Sequence, residues 1–149
     1  MKPKRLITCS LVMAVSIATS AQMAPPAGDV PAFHAAPPAK GQRLPAILAG
    51  LQLSGPSFQQ PVQANAYKAA AKVPKVIYQL PCYCHCDRHA GHTSLHSCFE
   101  SAHGANCSTC MKEAFFAQQM TAQGKTAKEI RAAIVKGEFE KINLDALNK

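Results

Sequence analysis

The sequence predicts a small, mainly α domain: three to four short helices around a Cys/His-rich site, placed after a signal peptide and a disordered, Pro/Ala-rich tether. Three observations predict it. Apolar residues recur at helical spacing in several stretches between Val62 and Ile134. Proline and glycine fall between those stretches, at Pro74, Gly91, Gly104, Gly124 and Gly137. Six of the seven cysteines and five of the six histidines lie between residues 82 and 110, a density that packing alone does not produce.

The chain has 149 residues, enough for one modest domain, and eleven prolines, six phenylalanines and no tryptophan argue against a large core. A basic start, Met1 to Arg5, precedes the apolar run Leu6–Ala18 and the small residues up to Ala21. That order predicts a secretory signal over 1–21, cleaved near Ala21, because the apolar run is shorter than the about 20 residues a membrane span needs. Cys9 sits near the start of the apolar run, where a lipidated cysteine would not. The expected location is therefore exported, periplasmic or extracellular, with no membrane span after cleavage. Without Lys2, Lys4 and Arg5 the chain carries thirteen basic and eight acidic residues, a charge of +5. No basic stripe with interleaved aromatics accompanies that charge, so nucleic acid is not an expected partner.

Residues 22–60 read as tether, since Pro25, Pro26, Pro31, Pro37, Pro38, Pro45 and Pro56 interrupt any regular element. Within it, Leu44–Leu53 is apolar enough to dock on the domain, and His34 stands alone without an expected role. The domain is expected over 61–140, with a frayed or partly helical tail over 141–149. A short helix is predicted from Val62 to Lys72, stopped by Pro74. Lys75–Leu80 is β-branched and reads as a short strand or a buried connector. Thr93 or Ser94 caps a helix to about Ala102 whose stripe is Leu95, Cys98, Phe99 and Ala102, leaving His92, His96 and His103 on a neighbouring polar face. A helix from Cys107 or Ser108 to Ala122 follows. The last begins at Thr126-Ala127-Lys128-Glu129, a capping-box pattern, buries Ile130, Ala133 and Ile134, and closes at Gly137.

The candidate site is Cys82-Tyr83-Cys84-His85-Cys86, with Cys98, Cys107 and Cys110 downstream. An extended backbone would turn the first three cysteines to one side; a loop would let them converge. Thiolate and imidazole suit zinc, copper or iron and not calcium or magnesium. The leading reading is therefore a soft transition metal held by Cys82, Cys84, Cys86, His85, His89, Cys98, Cys107 and Cys110, in a carrier, sensor or maturation role. His85 and His89 flank Cys86, and Asp87 is placed to orient one of them. The first alternative is thiol–disulfide exchange with partner protein thiols. In it, Cys107 attacks and Cys110 resolves, both favoured as thiolates by a helix N-terminus. The second is a module stapled by three disulfides, against which clustered, alternating cysteines make poor long-loop staples. No nucleotide-binding glycine loop, nucleophilic-serine motif or paired catalytic carboxylates are present.

Pro81-Cys82-Tyr83-Cys84-His85-Cys86, Gly91-His92-x-Ser94-Leu95-x-x-Cys98-Phe99 and Cys107-x-x-Cys110 resemble a family of exported bacterial proteins named for a PCYCGC or CYCXC motif. Glu113-Ala114 and Gly124-Lys125-Thr126-x-x-Glu129-Ile130-Arg131 continue the resemblance, which spans roughly residues 62–137. Many members look like lipoproteins, and this chain lacks their lipobox. Members carrying selenocysteine in the motif imply redox or soft-metal chemistry. The Cys-x-x-Cys, helix, Gly-Lys-Thr order is also similar to thiol reductases of cytochrome c maturation. His85 replaces the family's glycine, which implies a backbone there that does not demand glycine.

Overall fold

A computed structural model describes residues 29–149. The expected signal segment, with Cys9, lies outside the described residues. Four α-helices form the domain: α1 (Pro61–Lys72), α2 (Pro74–Ile77), α3 (Ser108–Ala122) and α4 (Ala127–Val135). Short 3-10 turns connect them, and there is no strand among the described residues. No helix there is long and apolar enough to cross a membrane.

Helix α1 begins where Pro61 supplies the first helical φ and the Gln63 side chain accepts from the Gln60 N–H at 2.8 Å. It buries Val62, Ala66, Tyr67, Ala69 and Ala70, and the small alanines allow close packing on α3. Tyr67 is the anchor of this interface. Its ring meets Phe58 and Phe99 edge-on, at centroid distances of 5.2 and 4.9 Å. Its hydroxyl donates to the Ser101 carbonyl at 2.6 Å and accepts from the Ala105 N–H at 3.2 Å. Burial pushes that phenol up to about 12, so it remains a neutral donor. Tyr67→Phe leaves both backbone groups without this partner and lowers stability by about 1–3 kcal/mol. Denaturant unfolding measures this, and a loss below about 0.5 kcal/mol, the scale of an ordinary surface substitution, contradicts it.

The Lys75–Leu80 stretch departs from the strand reading. Val73 (φ −134°, ψ 44°) ends α1, and Pro74 starts the single turn of α2. Without a neighbouring strand to complete a ladder, β-branched residues have no sheet to join, and Ile77 and Leu80 are buried in a helical turn and its exit. The Leu80 carbonyl then accepts from the Leu95 N–H at 2.9 Å, fixing the approach to the cysteine run.

The helix expected over 93–102 is instead two 3-10 turns, Leu95–Phe99 and Ala102–Asn106. Ser101 separates them with an extended backbone (φ −138°, ψ −177°) and caps the second by accepting from the His103 N–H. The break folds the second turn onto the first. A Cβ on Gly104 would lie 2.9 Å from the Cys98 carbonyl oxygen, so only glycine permits that approach.

Helix α4 forms as expected: Thr126 and Glu129 satisfy each other's backbone N–H groups, and Ile130, Ala133 and Ile134 are buried. The tail returns to α1, where the Asn148 side chain accepts from the Val62 N–H at 3.1 Å. Residues 29–60 hold only turns and one 3-10 segment, Gly50–Gln52, and they lie along the domain. The Leu48 N–H donates to the Phe99 carbonyl at 3.0 Å, and Ile47, Leu48, Leu53 and Phe58 pack against the core. His34, expected to have no role, stacks on Tyr78 at 3.9 Å and reaches Thr93.

Candidate metal centre

The cysteine run is neither extended nor helical. It turns twice: the His85 N–H donates to the Cys82 carbonyl and the Arg88 N–H to the His85 carbonyl, each at 3.0 Å. This folds three alternating cysteines inward on themselves. Cys82 and Cys86 are almost fully buried, while Cys84 is half-buried. The 95–99 turn supplies Cys98 and the first turn of α3 supplies Cys110, both with no exposed surface.

The sulfurs meet. Cys82 Sγ lies 3.3 Å from Cys84 Sγ and 3.4 Å from Cys110 Sγ, and Cys84 Sγ lies 3.7 Å from Cys110 Sγ. Cys86 Sγ lies 3.4 Å from Cys98 Sγ. The four sulfurs of Cys82, Cys84, Cys86 and Cys98 all fall within 4.8 Å of one another. Tetrahedral zinc with Zn–S of about 2.3 Å spaces its sulfurs by about 3.8 Å, so these thiols need move only slightly to share an ion. All six described cysteines are free, and the triply stapled module is not the arrangement observed. Convergence on one place, rather than pairing across long loops, is what the alternating spacing achieves.

The thiols differ electrostatically. Cys84 is drawn well below the ordinary thiol range by hydrogen bonds from Cys107, Cys110 and Cys82. Cys86 is lowered by Cys82 and then Cys98. Cys82 is pushed up by Cys110, Cys84 and Cys86, and Cys110 by Cys107 first. Cys107 is pulled down by Cys110, but Cys84 and burial outweigh this and raise it. The expectation that the α3 N-terminus makes Cys107 and Cys110 the thiolates is therefore corrected. Cys110 has sulfur neighbours at 3.4 and 3.7 Å, and burial raises both thiols against the helix N-terminus. Cys107 still caps α3, its sulfur accepting from the Cys110 N–H at 3.5 Å.

The histidines are redistributed. His89 is exposed, and neither it nor His85 belongs to a set of donor atoms lying within 4.8 Å of one another. His92 and His103 do: His92 Nδ1 is 3.3 Å from Cys98 Sγ, and the two imidazole rings meet edge-on at 4.6 Å. The polar face expected for His92, His96 and His103 is split by the break at Ser101. His96 turns into the core, where Nδ1 pairs with Glu100 at 2.9 Å. Asp87, expected to orient a histidine, accepts the Ala32 N–H at 3.0 Å instead, while Arg88 pairs with Asp29 at 2.8 Å. Phe33 lies under the Arg131 guanidinium, so residues 29–34 strap the loop to the domain.

Glu113, fully buried on α3, carries a contact that its place in the motif does not announce. Its Oε1 accepts from the Tyr83 N–H at 2.9 Å, pinning the residue between Cys82 and Cys84. Burial pushes its carboxyl up to about 8, against the opposing pull of the Tyr83 and Cys82 hydrogen bonds.

His85 corrects a second expectation. Its φ of +55° makes it the one non-glycine residue with positive φ among those described. The backbone there does favour glycine, and this chain holds histidine in the left-handed region at a cost of about 1–2 kcal/mol. His85→Gly relieves that strain against about 0.5–1 kcal/mol of glycine chain entropy, so stability rises by up to about 1.5 kcal/mol. Calorimetric melting with bound metal counted on the same sample tests this; a lost equivalent of metal would put the imidazole in the site.

Searches of curated proteins and of solved structures found no match. The profile of one family, described as protein of unknown function with PCYCGC motif, matches residues 56–141, which contain every cysteine of the cluster. The match takes in more than half of the chain, with His85 standing at the glycine of the motif, and the chain belongs to this family.

Proposed function

We propose that this chain binds a soft transition metal, in the class of zinc, copper(I) or iron, as a carrier, sensor or maturation factor outside the cytoplasm. The observation that carries the reading is the four-sulfur set of Cys82, Cys84, Cys86 and Cys98, extended by Cys110 at 3.4 Å from Cys82. Cys107 borders it. Buried thiolates are costly without a cation, and a metal ion supplies one while displacing the remaining thiol protons. The external location rests on the signal-like residues 1–21. Titration of the reduced chain with Zn(II) against a chromophoric chelator tests the reading. Uptake should protect the cluster thiols from alkylation and weaken as pH falls, because protons compete for sulfur. Chelator that retains all the zinc, with thiols alkylated at an unchanged rate, would overturn it.

A second reading, thiol–disulfide exchange, is favoured by sulfur pairs already at 3.3–3.4 Å. Two thiols would pass two electrons to a partner's disulfide, losing two protons as their own S–S bond forms and the partner's breaks. Reversible loss of two thiols per chain on incubation with a disulfide, blocked by bound metal, would distinguish it.

A further inference from the structure

The donor atoms outnumber what one ion needs. Five sulfurs and two imidazoles converge, and a tetrahedral ion takes four. The surplus is not scattered. Cys82, Cys84 and Cys110 close a triangle with edges of 3.3, 3.4 and 3.7 Å. Cys86, His92, Cys98 and His103 form a second four-donor set, all within 4.8 Å, in which Cys98 touches both Cys86 and His92; Cys86 also lies within 4.8 Å of Cys82 and Cys84, and His103 of Cys84 and Cys110. Neither set uses a residue of the other. If one ion occupied the mixed set, the three remaining sulfurs would still present a complete triangular face.

Cys98 links the halves. It is the one residue common to all three four-donor combinations among the described residues, two of which also contain Cys84. Its sulfur lies within 4.8 Å of those of Cys82, Cys84 and Cys110, placing it as a fourth ligand to the triangle. Thiolate sulfur has lone pairs enough to bridge two metals. Charge argues the same way. Five deprotonated cysteines around one divalent ion leave three uncompensated negative charges in a largely buried pocket, whereas two divalent ions leave one.

We propose that the pocket is a binuclear centre. One divalent ion is held by Cys82, Cys84 and Cys110, a second by Cys86, His92 and His103, and Cys98 bridges them. This deepens the metal-binding reading and rests on it. The ligand class is a thiophilic divalent ion, and the probes are Zn(II) and Cd(II). His92 and His103, which the sequence places on a polar helix face, thereby become ligands of the second ion.

The experiment is equilibrium loading of the reduced full chain with Zn(II), counted by native mass spectrometry. Three chains are compared: the wild type, a His92→Ala/His103→Ala double variant and a Cys82→Ser/Cys110→Ser double variant. The expected result is two ions in the wild type and one in each variant. The histidine pair is half-buried and lies outside the apolar core, so its removal spares the fold, and circular dichroism checks this. Cadmium NMR of the wild type gives an independent readout, with two resonances expected, one sulfur-only and one mixed with nitrogen. Saturation of the wild type at one ion, or two ions retained without the histidines, would overturn the binuclear assignment and leave single-ion binding standing. No bound ion in the wild type would overturn both.

Discussion

A chain in which Cys82, Cys84 and Cys86 are all serine takes up no zinc under conditions that load the wild type. These residues supply three of the five converging sulfurs. Serine hydroxyls do not deprotonate at neutral pH and are hard, poor ligands for the metals thiolates select. The remaining Cys98 and Cys110, with His92 and His103, do not close either half of the site. The expected loss is all measurable uptake, read by elemental analysis after gel filtration. Cys82 and Cys86 belong to the buried core, so folding is followed alongside. A folded triple variant with unchanged metal content would remove the run from the site.

Glu113→Ala is the substitution expected to cost the most stability. It opens a cavity in α3 and leaves the Tyr83 N–H without its acceptor, together about 2–4 kcal/mol. The turn that holds Cys82 and Cys84 together loosens with it, so metal affinity falls as well. Glu113→Gln keeps the acceptor and is expected to retain the turn. The pair also separates a titration effect. The carboxyl is raised from 4.5 to about 8, so the folded chain binds its proton more tightly than the unfolded chain. The stability contributed by the neutral carboxyl is full below about pH 4.5 and is lost as pH rises towards 8. Across that window the metal-free wild type should lose a few kcal/mol relative to Glu113→Gln, at about 1.4 kcal/mol per pKa unit as the upper bound. Parallel stability–pH curves for the two chains would contradict this.

What was legible in the sequence is what local chemistry decides. Pro74 ended α1, Thr126 and Glu129 capped α4, and the apolar stripe Leu95, Cys98, Phe99 is buried even though its helix is not α. The density of the cysteines marked the site, while an extended run and a converging loop both remained open. The rest depended on contacts between distant segments. Lys75–Leu80 carried strand propensity but no strand lay beside it. Reading 93–102 with a 3.6-residue period grouped His96 with His92 and His103, whereas the break at Ser101 sends His96 to Glu100 and the other two to the sulfurs. A serine three residues before a glycine was the available signal for that break. Glu113 belonged to the family resemblance, but nothing in the sequence indicated its contact. Its role exists because α3 lies against the Tyr83 turn, which no spacing along the chain encodes. His85 was misread because a side chain at a glycine position suggests tolerance, while its φ shows strain that the turn imposes.

The most direct measurement is a paired count on the full chain purified anaerobically: bound metals by elemental analysis and reactive thiols on the same sample, before and after chelation. One or more equivalents of a soft transition metal are expected, with the cluster thiols reacting only once it is removed. Freely reactive thiols in a folded chain that carries no metal, and takes none up when it is supplied, would contradict it.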